Sequence, residues 1–361
     1  MKILCVIDIL GSGGAQRQLV NLAIGFKERG HSVSFLVYHH HDFYVDTLIQ
    51  SNIDVNEIIE PNYFRRLIKM RRFIRMGDFG AVLSFLEASN FICEFSGFPL
   101  RKWKLVVGER SANPLILKSI KLRLFRWFHL FADHVVANSN ENIRMVRMIN
   151  PLLKNCHVIY NTVNFEHWKP DVNYIPFKNR KFKLIVAASH RYLKNLNGLI
   201  EGVNLLSEKE KEQLLIEWYG DKIVGEYFDN SYPEAIKLID KFNLSNLFIF
   251  HPAIHNLPDV IKTANAVGLF SFYEGLPNII CEAMSAGKPV IASNVSDIRI
   301  LINNENLICD PHSPNSIKSV ISYLLLCNEQ EYKEISNQNI LSAKTFFDKN
   351  QIVNKYLKLM E

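Results

Sequence analysis

Two glutamates with seven residues between them, Glu274 and Glu282, stand in the part of the sequence that is most informative about chemistry. Residues 270–293 predict a buried strand, a loop that holds Glu274, a helix that opens beside Pro277 and stops at Gly287, and a second buried strand. A carboxylate can accept hydrogen bonds from two neighbouring hydroxyls, which suits a sugar ring or a ribose diol. The two acids therefore indicate a site for a polyhydroxylated ligand at the start of this helix.

The start of the same helix is also suited to a phosphate group. The backbone N–H groups of Leu276, Asn278 and Ile279 are expected to face outward there, with the positive end of the helix dipole behind them. Open parallel sheets bind ligands beyond the carboxyl ends of their strands, where this loop is predicted to lie. The alternative makes Glu274 an ordinary loop acid and Glu282 a solvated helix residue, and the strand, loop and helix context disfavours it.

A glycine-rich turn that contains Gly13 and Gly14 follows the first predicted strand, and it lets the backbone approach a phosphate closely. A dinucleotide-binding fingerprint would place Gly or Ala at position 16 and an acid at the end of the second strand. The sequence has Gln16 and Tyr38 at those places, so an NAD(P) oxidoreductase is disfavoured. Arg17 is a candidate for the acceptor side of a cleft, with a surface helix residue as the alternative.

Cations also follow the first predicted strand of the C-terminal half, where Ser189, Arg191 and Lys194 precede a helix. Two positive charges at such a sheet edge would neutralise the charge that develops on a diphosphate leaving group. In the N-terminal half, polar residues at the ends of predicted strands are candidates for a cleft rim on the acceptor side. They are Glu109, Arg110, Asn138, Ser139 and Asn161.

The elements that must hold these residues form a strand–helix pattern that is built twice. Strand, helix and strand within residues 3–38 predict a right-handed crossover unit of a parallel sheet. The pattern continues to residue 160, loses its periodicity and restarts with a strand at 182–187. The predicted fold is α/β, with an N-terminal domain at 1–165, a linker at 166–181 and a C-terminal domain at 182–345. A last helix, within 346–361, is expected to pack back on the first domain.

Length and composition agree with two ordinary globular domains. A chain of 361 residues favours more than one domain, and 48% hydrophobic and 22% charged residues exclude a disordered or fibrous chain. The first apolar run is too short and too polar for a signal peptide, and no run is long enough to span a membrane. A cytoplasmic protein is therefore expected, and its six scattered cysteines are expected to be reduced core thiols.

The histidines are not predicted to be catalytic residues or metal ligands. His129 and His134 fall on predicted helix or strand and are expected to be packed. Adjacent side chains on an extended chain point to opposite sides, so His39, His40 and His41 are not expected to bind one metal ion together. No Asp-x-Asp or second ligand cluster accompanies them, and a solvated loop is expected. No metal or other cofactor is predicted to be required.

Two basic, amphipathic stretches lie in the N-terminal half, at residues 64–76 and 115–131. An amphipathic basic helix can lie on an anionic membrane, which would suit a lipid-linked acceptor. It can equally be an ordinary helix with its apolar face in the core. Both alternatives stay open, whereas nucleic-acid binding is disfavoured because no recognised module accompanies the net charge of +6.

The segment around Glu274 and Glu282 resembles the Glu-x7-Glu signature of glycosyltransferase family 4, Ser-x-x-Glu-Gly-Leu-Pro-Asn-x-x-x-Glu-Ala-Met-Ala-x-Gly-Lys-Pro-Val, with Ser285 where Ala is usual. The turn at Gly13 is similar to the family's Gly-Gly-Ala-Glu-Arg loop, with Gln16 in place of the acid. The loop before Lys194 and Asn195 also fits, although the family's usual arginine position falls at Ser189 and Arg191 is offset by two.

This resemblance implies a retaining glycosyltransferase of the GT-B kind, in which two Rossmann-like domains with parallel sheets face each other across a central cleft. It implies that Glu274 meets the hydroxyls of the transferred sugar and that Glu282 holds the nucleotide ribose. The donor-binding residues would be Gly13, Gly14, Ser189, Gly275, Leu276, Pro277, Asn278 and Ile279, beside the catalytic Glu274, Lys194 and Arg191. Some relatives carry a histidine where Glu109 and Arg110 stand, so the acceptor-side base is unassigned.

The resulting hypothesis is a hexosyltransferase that uses a nucleotide-sugar, with a UDP-sugar favoured, and a glycan or polyprenyl-linked saccharide acceptor. Its expected setting is the assembly of bacterial surface polysaccharide, in the cytoplasm or peripherally on the inner face of the membrane. A non-catalytic subunit that binds sugar nucleotides and supports a partner transferase is the main alternative. An NAD(P) oxidoreductase is the weaker one.

Overall fold

The computed structural model describes residues 1–170, 181–223, 229–254 and 256–361. Contacts between Cα atoms divide the chain into two compact units. The first unit comprises Met1–Thr162 and Phe347–Glu361, and the second comprises Val163–Phe346. Most of the predicted linker, at positions 171–180, lies outside the described residues.

The first unit alternates strands with helices along the chain. Its strands are β1 (Lys2–Val6), β2 (Ser32–Val37), β3 (Asp54–Glu57), β4 (Ala81–Phe85), β5 (Lys104–Glu109), β6 (His134–Ala137) and β7 (Cys156–Val158). Its helices are α1 (Gly14–Glu28), α2 (Val45–Gln50), α3 (Tyr63–Met76), α4 (Glu87–Gly97), α5 (Ile120–Phe128) and α6 (Asn140–Ile149). The short strand β3 is absent from the sequence-based prediction, because Asp, Asn and Glu dominate it and only Val55 is apolar.

The strands of the first unit form one parallel sheet in the order β3-β2-β1-β4-β5-β6-β7. Side chains of β1 alternate between two separate cores: Ile3 and Cys5 pack in one cluster, and Leu4 and Val6 pack in the other. Helix α1 contributes to the first cluster, and α3 and α4 contribute to the second. The sheet is therefore covered on both faces, as a doubly wound parallel sheet must be.

The second unit repeats this architecture. Its strands are β8 (Phe182–Ala187), β9 (Leu214–Tyr219), β10 (Phe248–His251), β11 (Ala266–Leu269), β12 (Val290–Ser293) and β13 (Ile308–Cys309). Its helices are α7 (Leu196–Asn204), α8 (Glu208–Gln213), α9 (Ser231–Lys241), α10 (Leu257–Lys262), α11 (Asn278–Ser285), α12 (Ile298–Leu301), α13 (Pro314–Leu326) and α14 (Glu329–Phe346). The parallel sheet has the order β10-β9-β8-β11-β12-β13.

The last helix, α15 (Lys349–Met360), belongs to the first unit although it ends the chain. Its residues Ile352, Val353 and Tyr356 are buried in the core cluster that also holds α1. A Cβ atom on Gly25 would approach Val353 to 2.5 Å, so glycine at this point of α1 permits the close packing of the two helices. The apolar periodicity of residues 351–360 thus corresponds to a helix that completes the first core.

Two further expectations concern the whole sequence. All six cysteines are free, and five of them are buried, as predicted for core thiols. Among the described residues, none of the helices is long and apolar enough to cross a bilayer.

Candidate active site

The sheet order of the second unit identifies a place for a ligand. Strand β8 lies between β9 and β11, so the chain leaves β8 toward one neighbour and returns later on its other side. In open α/β sheets, ligands bind beyond the carboxyl ends of the strands at such a switch point. The loops that follow β8 and β11 are residues 188–195 and 270–277. They hold the three predicted catalytic residues and four of the predicted donor-binding residues: Arg191, Lys194, Glu274, Ser189, Gly275, Leu276 and Pro277.

Lys194 and Glu274, which are 80 positions apart, meet at this switch point. Lys194 Nζ lies 2.5 Å from Glu274 Oε1, and Ser271 Oγ donates a hydrogen bond of 2.8 Å to the same oxygen. Their side chains are 21% and 14% exposed. The two loops are also joined by a backbone bond of 2.9 Å from Phe272 N–H to the Leu193 carbonyl. The structure thus brings together a predicted cation and a predicted acid, in a position that still reaches solvent.

Lys194 is held in place by the residue that follows it. Asn195 adopts a left-handed conformation (φ 57°) and caps α7, because its side chain accepts a hydrogen bond from Gly198 N–H at 3.1 Å. Its amide nitrogen donates to the Pro311 carbonyl at 2.8 Å. Asparagine tolerates this backbone region better than most residues, and glycine at 198 leaves room for its side chain. The pair Lys194-Asn195 is therefore a cation set on a rigid helix start.

The helix predicted next to Glu274 is present as α11. It begins at Asn278 with Pro277 as its N-cap, and Gly287 lies just beyond its end with φ 73°. Both boundary predictions are confirmed, since a left-handed glycine after the last turn is a common helix stop. Glu282 is only 6% exposed, so the alternative of a solvated helix residue is wrong.

Arg191 is exposed on the same loop as Lys194. Burial, and then the Glu274 carboxylate, raise the pKa of Tyr273, whereas the charge of Arg191 lowers it, which places these three residues close together. Burial alone would raise the pKa of Asp229, but hydrogen bonds from Ser231 and Tyr192, assisted by Arg191, bring it below its usual value. Arg191 is therefore exposed one turn before Lys194, whose side chain contacts Glu274, and the Lys194 N–H donates to the Arg191 carbonyl at 2.9 Å.

The predicted residues of the glycine-rich turn surround the start of α1. Gly13 is its N-cap and Gly14 its first residue. A Cβ on Gly13 would lie 2.2 Å from Gln16 Oε1, because the Gln16 side chain folds back over the turn. Gln16 Nε2 in turn lies 3.3 Å from Asp8 Oδ1. Gly13 has a φ of −70°, which any residue can adopt, and the contact is with the end of a flexible side chain, so the turn itself does not require glycine at 13. Arg17 is partly exposed on the next turn.

Glu109 was predicted at a cleft rim, and its side chain is instead buried, at 3% exposure. Glu109 Oε2 lies 2.8 Å from Arg126 Nη2, and Oε1 lies 2.9 Å from His129 Nε2. The other imidazole nitrogen, Nδ1, lies 2.5 Å from Glu94. Both oxygens of Glu109 are satisfied inside the protein, so the expectation of an acceptor-side role for this side chain is corrected to a structural one.

This buried cluster has strongly shifted pKa values. Burial would raise the pKa of Glu109, but Arg126 and His129 lower it to about 2. Burial would lower the pKa of His129, but Glu94 and Glu109 raise it to about 9. The imidazole is therefore protonated at neutral pH and bridges two carboxylates. His129 is packed, as expected from the sequence.

Three other predicted acceptor-side residues are also engaged locally. Ser139 caps α6 by accepting from Asn142 N–H at 3.2 Å, and Asn138 Oδ1 accepts from the Asn142 side chain at 2.7 Å. Asn161 Oδ1 accepts from Arg110 Nη1 at 3.3 Å. All three are at most 3% exposed, which argues for support of the strand ends in place of direct ligand contact.

Arg110 connects the end of β5 to the C-terminal helix. Its guanidinium lies 3.7 Å above the Phe85 ring and donates to the Tyr356 hydroxyl of α15. Among the predicted acceptor-side residues, Arg110 and Arg17 are the two that are partly exposed. The sequence alone gave no sign of the Tyr356 contact, because 246 positions separate the partners.

Two further residues, Ser271 and Ser296, contact the site and were not predicted. Ser271 corresponds to the serine of the family signature, yet it was not among the predicted site residues. Its contact with Glu274 shows why a hydroxyl suits that position. Ser296 Oγ donates to the Gly275 carbonyl from a loop that no motif marks.

The three histidines at 39 to 41 are exposed, as predicted for a solvated loop. His40 pairs with Glu57 at 3.1 Å and with Asp42 at 3.3 Å. In the described part of the chain, no group of three or more His, Cys, Asp or Glu residues is arranged to hold a metal ion.

Two protein-family models match the sequence. Residues 12–167 match the family described as Glycosyltransferase Family 4, and residues 171–340 match Glycosyl transferases group 1.

Among curated relatives, a Campylobacter jejuni protein is named GalNAc-alpha-(1->4)-GalNAc-alpha-(1->3)-diNAcBac-PP-undecaprenol alpha-1,4-N-acetyl-D-galactosaminyltransferase. It is 24% identical over 377 residues, which cover 100% of this chain and 98% of that protein. An Escherichia coli protein, UDP-Gal:alpha-D-GlcNAc-diphosphoundecaprenol alpha-1,3-galactosyltransferase, is 24% identical over 252 residues, covering 66% of this chain and 61% of that protein.

Among solved structures, HepE of Anabaena, crystallised in complex with UDP and glucose, is similar with a TM-score of 0.85 and 19% identity. The match covers 99% of this chain and 98% of HepE. A glycosyltransferase from Rickettsia africae matches with a TM-score of 0.81 and 19% identity over 99% of this chain and 97% of that chain. With its two parallel-sheet α/β domains, the chain has the GT-B fold and belongs to glycosyltransferase family 4.

Proposed function

We propose that the chain transfers a hexosyl or N-acetylhexosaminyl group from a UDP-sugar to a polyprenyl-linked saccharide or another glycan, in the assembly of a bacterial surface polysaccharide. The observation that carries this proposal is the contact of Lys194 with Glu274 at the switch point of the second sheet. A carboxylate for sugar hydroxyls and a cation for the departing diphosphate stand within one ion-pair distance of each other there. The second unit would bind the donor and the first the acceptor.

The names of the relatives support this choice of substrates. The Campylobacter jejuni and Escherichia coli relatives are both named for transfer to diphosphoundecaprenol-linked saccharides. The name of the Escherichia coli relative includes UDP-Gal as donor, and HepE was crystallised with UDP. These facts favour a uridine nucleotide and a lipid-linked acceptor for this chain.

In the proposed reaction the bond between the anomeric carbon and the donor diphosphate breaks as the acceptor oxygen bonds to the same face of that carbon. The leaving diphosphate takes up the acceptor hydroxyl proton, and the anomeric configuration is retained. Glu274 orients the sugar through its hydroxyls, and Glu282 binds the ribose. Lys194, with the first turn of α11, stabilises the charge that develops on the leaving diphosphate, and Arg191 binds the diphosphate in the ground state and the transition state alike.

The donor assignment is tested with Glu274→Gln and Glu274→Ala in a transfer assay with UDP-sugars. We expect both variants to lose at least about 100-fold in turnover, since a hydrogen bond made in the transition state is lost. Glu329→Ala is a matched control, because it removes the carboxylate of an exposed ion pair with Lys333 on α14, outside the two loops of the site. Unchanged turnover of Glu274→Ala would refute the assignment.

The same assay separates the catalytic proposal from a non-catalytic sugar-nucleotide-binding subunit. An enzyme of the proposed kind hydrolyses its donor slowly in the absence of acceptor, whereas a binding subunit stabilises UDP without releasing sugar. Thermal shifts with UDP- and GDP-sugars should show a larger increase in Tm for the uridine series, because a ligand stabilises the state that it binds. A larger increase with GDP-sugars would contradict the choice of donor base.

A second proposal concerns the membrane, and it depends on helix α5. On α5 the apolar residues Ile120 (84% exposed), Leu124 (53%) and Trp127 (40%) recur at helical spacing on the side away from the buried Phe125. Exposed Lys121 and Arg123 flank this apolar face on either side. We define residues 118–127 as the α5 surface.

The basic stretch 64–76 differs from the α5 surface in how its cations are used. Arg71 donates to the Phe95 and Ser96 carbonyls, and Arg75 donates to the Ser96 and Leu100 carbonyls. Lys69 forms an ion pair with Glu60. In the other stretch, Arg126 is fully buried and is not available for contact with a membrane. We therefore propose that the α5 surface makes the peripheral contact with the anionic inner leaflet.

A further inference from the structure

The loop that follows β8 is hydrogen-bonded to the end of β9 and contacts the loop that follows β9. Trp218 Nε1 donates to the Ala188 carbonyl at 2.7 Å, and the Ala188 N–H donates to the Tyr219 carbonyl at 2.9 Å. A Cβ atom on Gly220 would lie only 1.9 Å from the Ala188 oxygen, so this close approach requires glycine. The backbone at Ala188 is therefore held by β9 and the glycine that follows it. His190, two residues later, makes further contacts with the same region.

The His190 imidazole is the buried centre of an aromatic cluster. It is 1% exposed, and its ring centroid lies 5.6 Å from Trp218, 4.8 Å from Tyr232 and 5.5 Å from Phe250. Its Nδ1 atom has no hydrogen-bond partner in the described part of the chain. Burial, followed by the charge of Lys222, lowers the pKa of His190 to about 4, so the ring is neutral at pH 7.

The backbone turns tightly at this residue. The Arg191 N–H donates to the Ser189 carbonyl at 2.9 Å, which closes a three-residue turn centred on His190, and the His190 N–H donates to the Asp221 carbonyl at 3.0 Å. The φ angle of His190 is not positive, so this is the common inverse form of the γ-turn. In such a turn the side chain of the central residue points away from the hydrogen bond that joins the two flanking residues.

The turn has a consequence for the offset arginine. The family's usual arginine position falls at Ser189, two residues before Arg191. Two extended residues would separate their Cα atoms by roughly 7 Å, and a closed turn shortens that distance. Arg191 then continues in an extended conformation (φ −124°, ψ 148°) and is exposed. The turn at His190 thus brings the Arg191 backbone back toward the place that Ser189 occupies.

We propose that His190 is a positioning residue: its packing among Trp218, Tyr232 and Phe250 holds the turn that presents Arg191 to the donor diphosphate. The inference rests on the proposed nucleotide-sugar site and adds a residue to it. His190 itself touches no substrate. Its contribution acts through Arg191, and this makes the two residues energetically coupled.

A double-mutant cycle on the donor KM tests the coupling. We expect His190→Ala and Arg191→Ala each to raise the donor KM about 10-fold, with kcat changed less than about threefold. Combined, they should raise KM no more than Arg191→Ala alone, because arginine cannot be mispositioned once it is absent. His190→Phe should remain within about twofold of the parent KM, since it keeps a flat ring in the cluster.

Phe248→Ala is the matched control, because it removes a buried ring (7% exposed) from the same sheet near Phe250 without being part of the turn. It should lower Tm and leave KM nearly unchanged. Effects of His190→Ala and Arg191→Ala that multiply in the double variant would overturn the proposal, as would equal KM changes in His190→Ala and Phe248→Ala. A His190→Phe variant as impaired as His190→Ala would also contradict it.

The cycle can be run on the Kd of UDP measured by calorimetry as well as on KM. If the protein bound UDP without transferring sugar, the proposed activity would fail, but the coupling of His190 with Arg191 would still be measurable. If UDP bound normally and the cycle showed no coupling, only the inference about His190 would fail.

Discussion

At the scale of single residues, the site pairs two side chains of opposite charge, Glu274 and Lys194. Glu274 and Lys194 neutralise each other at 2.5 Å, and Ser271 shares the same carboxylate oxygen. Partly exposed ion pairs of this kind contribute little to stability, because water screens them. In the proposed function, an incoming diphosphate attracts Lys194 and frees the Glu274 carboxylate for sugar hydroxyls.

This view leads to a prediction about metal ions. Because Lys194 and Arg191 supply positive charge beside the proposed diphosphate site, transfer should proceed at an unchanged rate after treatment with excess EDTA. The measurement is kcat with and without chelator, and a Mg²⁺-supplemented sample serves as control. Loss of activity with EDTA that Mg²⁺ or Mn²⁺ restores would show that the divalent ion, not these side chains, carries the leaving-group charge.

The sequence predicts the role of a residue best when its contacts are with residues nearby in the chain. The start and stop of α11 depend on Pro277 and Gly287, and the sequence alone predicted both. The burial of Glu109 depends on Arg126 and His129, which a helix and a loop bring from 17 and 20 positions away. The fold of the Arg191 turn depends on Trp218 in β9 and on Asp221 in the loop that follows β9. Such contacts leave no periodic pattern in the sequence.

At the scale of elements, two basic helices differ in the contacts that their cations make. Helix α3 and helix α5 are both basic and amphipathic, so their sequences do not distinguish them. In the structure both helices expose apolar side chains, including Phe64 and Ile68 on α3. They differ in their cations, because Arg71 and Arg75 of α3 donate to the carbonyl groups at the end of α4. On α5 the cations Lys121 and Arg123 form no ion pair in the described part of the chain, and they border an exposed apolar face.

The difference between α3 and α5 can be measured with vesicles. Lys121→Glu/Arg123→Glu should reduce co-sedimentation with vesicles of about 30% phosphatidylglycerol by at least about 10-fold, because each cation near an anionic surface contributes about 1 kcal/mol. Arg65→Glu/Arg72→Glu on α3 is the control with the same change in charge, and it should have a smaller effect. Binding that is insensitive to the α5 reversal would contradict the proposed surface. So would concentration-dependent dimerisation that is abolished by Trp127→Ser, because it would show that a second copy covers α5.

At the scale of the whole molecule, the two units carry buried histidines with opposite pKa shifts. His129 in the first unit is held charged by two carboxylates, with a pKa of about 9. His190 in the second unit is held neutral by burial, with a pKa of about 4. Each shift links proton binding to folding, and the sign of the link differs between the units. The duplicated architecture therefore does not imply a duplicated response to pH.

The signs follow from the unfolded pKa of about 6.5. The stabilisation from His129 is complete below about pH 6.5 and is lost as pH rises through about 9, because the folded state then gives up a proton that it held tightly. The stabilisation from neutral His190 is complete above about pH 6.5 and is lost as pH falls toward 4, because unfolding then takes up a proton. Maximal stability of the chain should lie between these two losses.

Urea denaturation at pH 5, 7 and 9.5 tests this difference. We expect His190→Phe to lessen the loss of stability between pH 7 and pH 5 without changing the alkaline side. His129→Gln should lower stability at pH 7, because Glu94 and Glu109 lose a buried counter-charge, and it should flatten the decline between pH 7 and pH 9.5. Equal pH profiles for the parent protein and both variants would mean that neither histidine changes its proton affinity on folding. A variant that changed the profile on the wrong side of pH 7 would reverse the assignment of which unit is sensitive to acid and which to base.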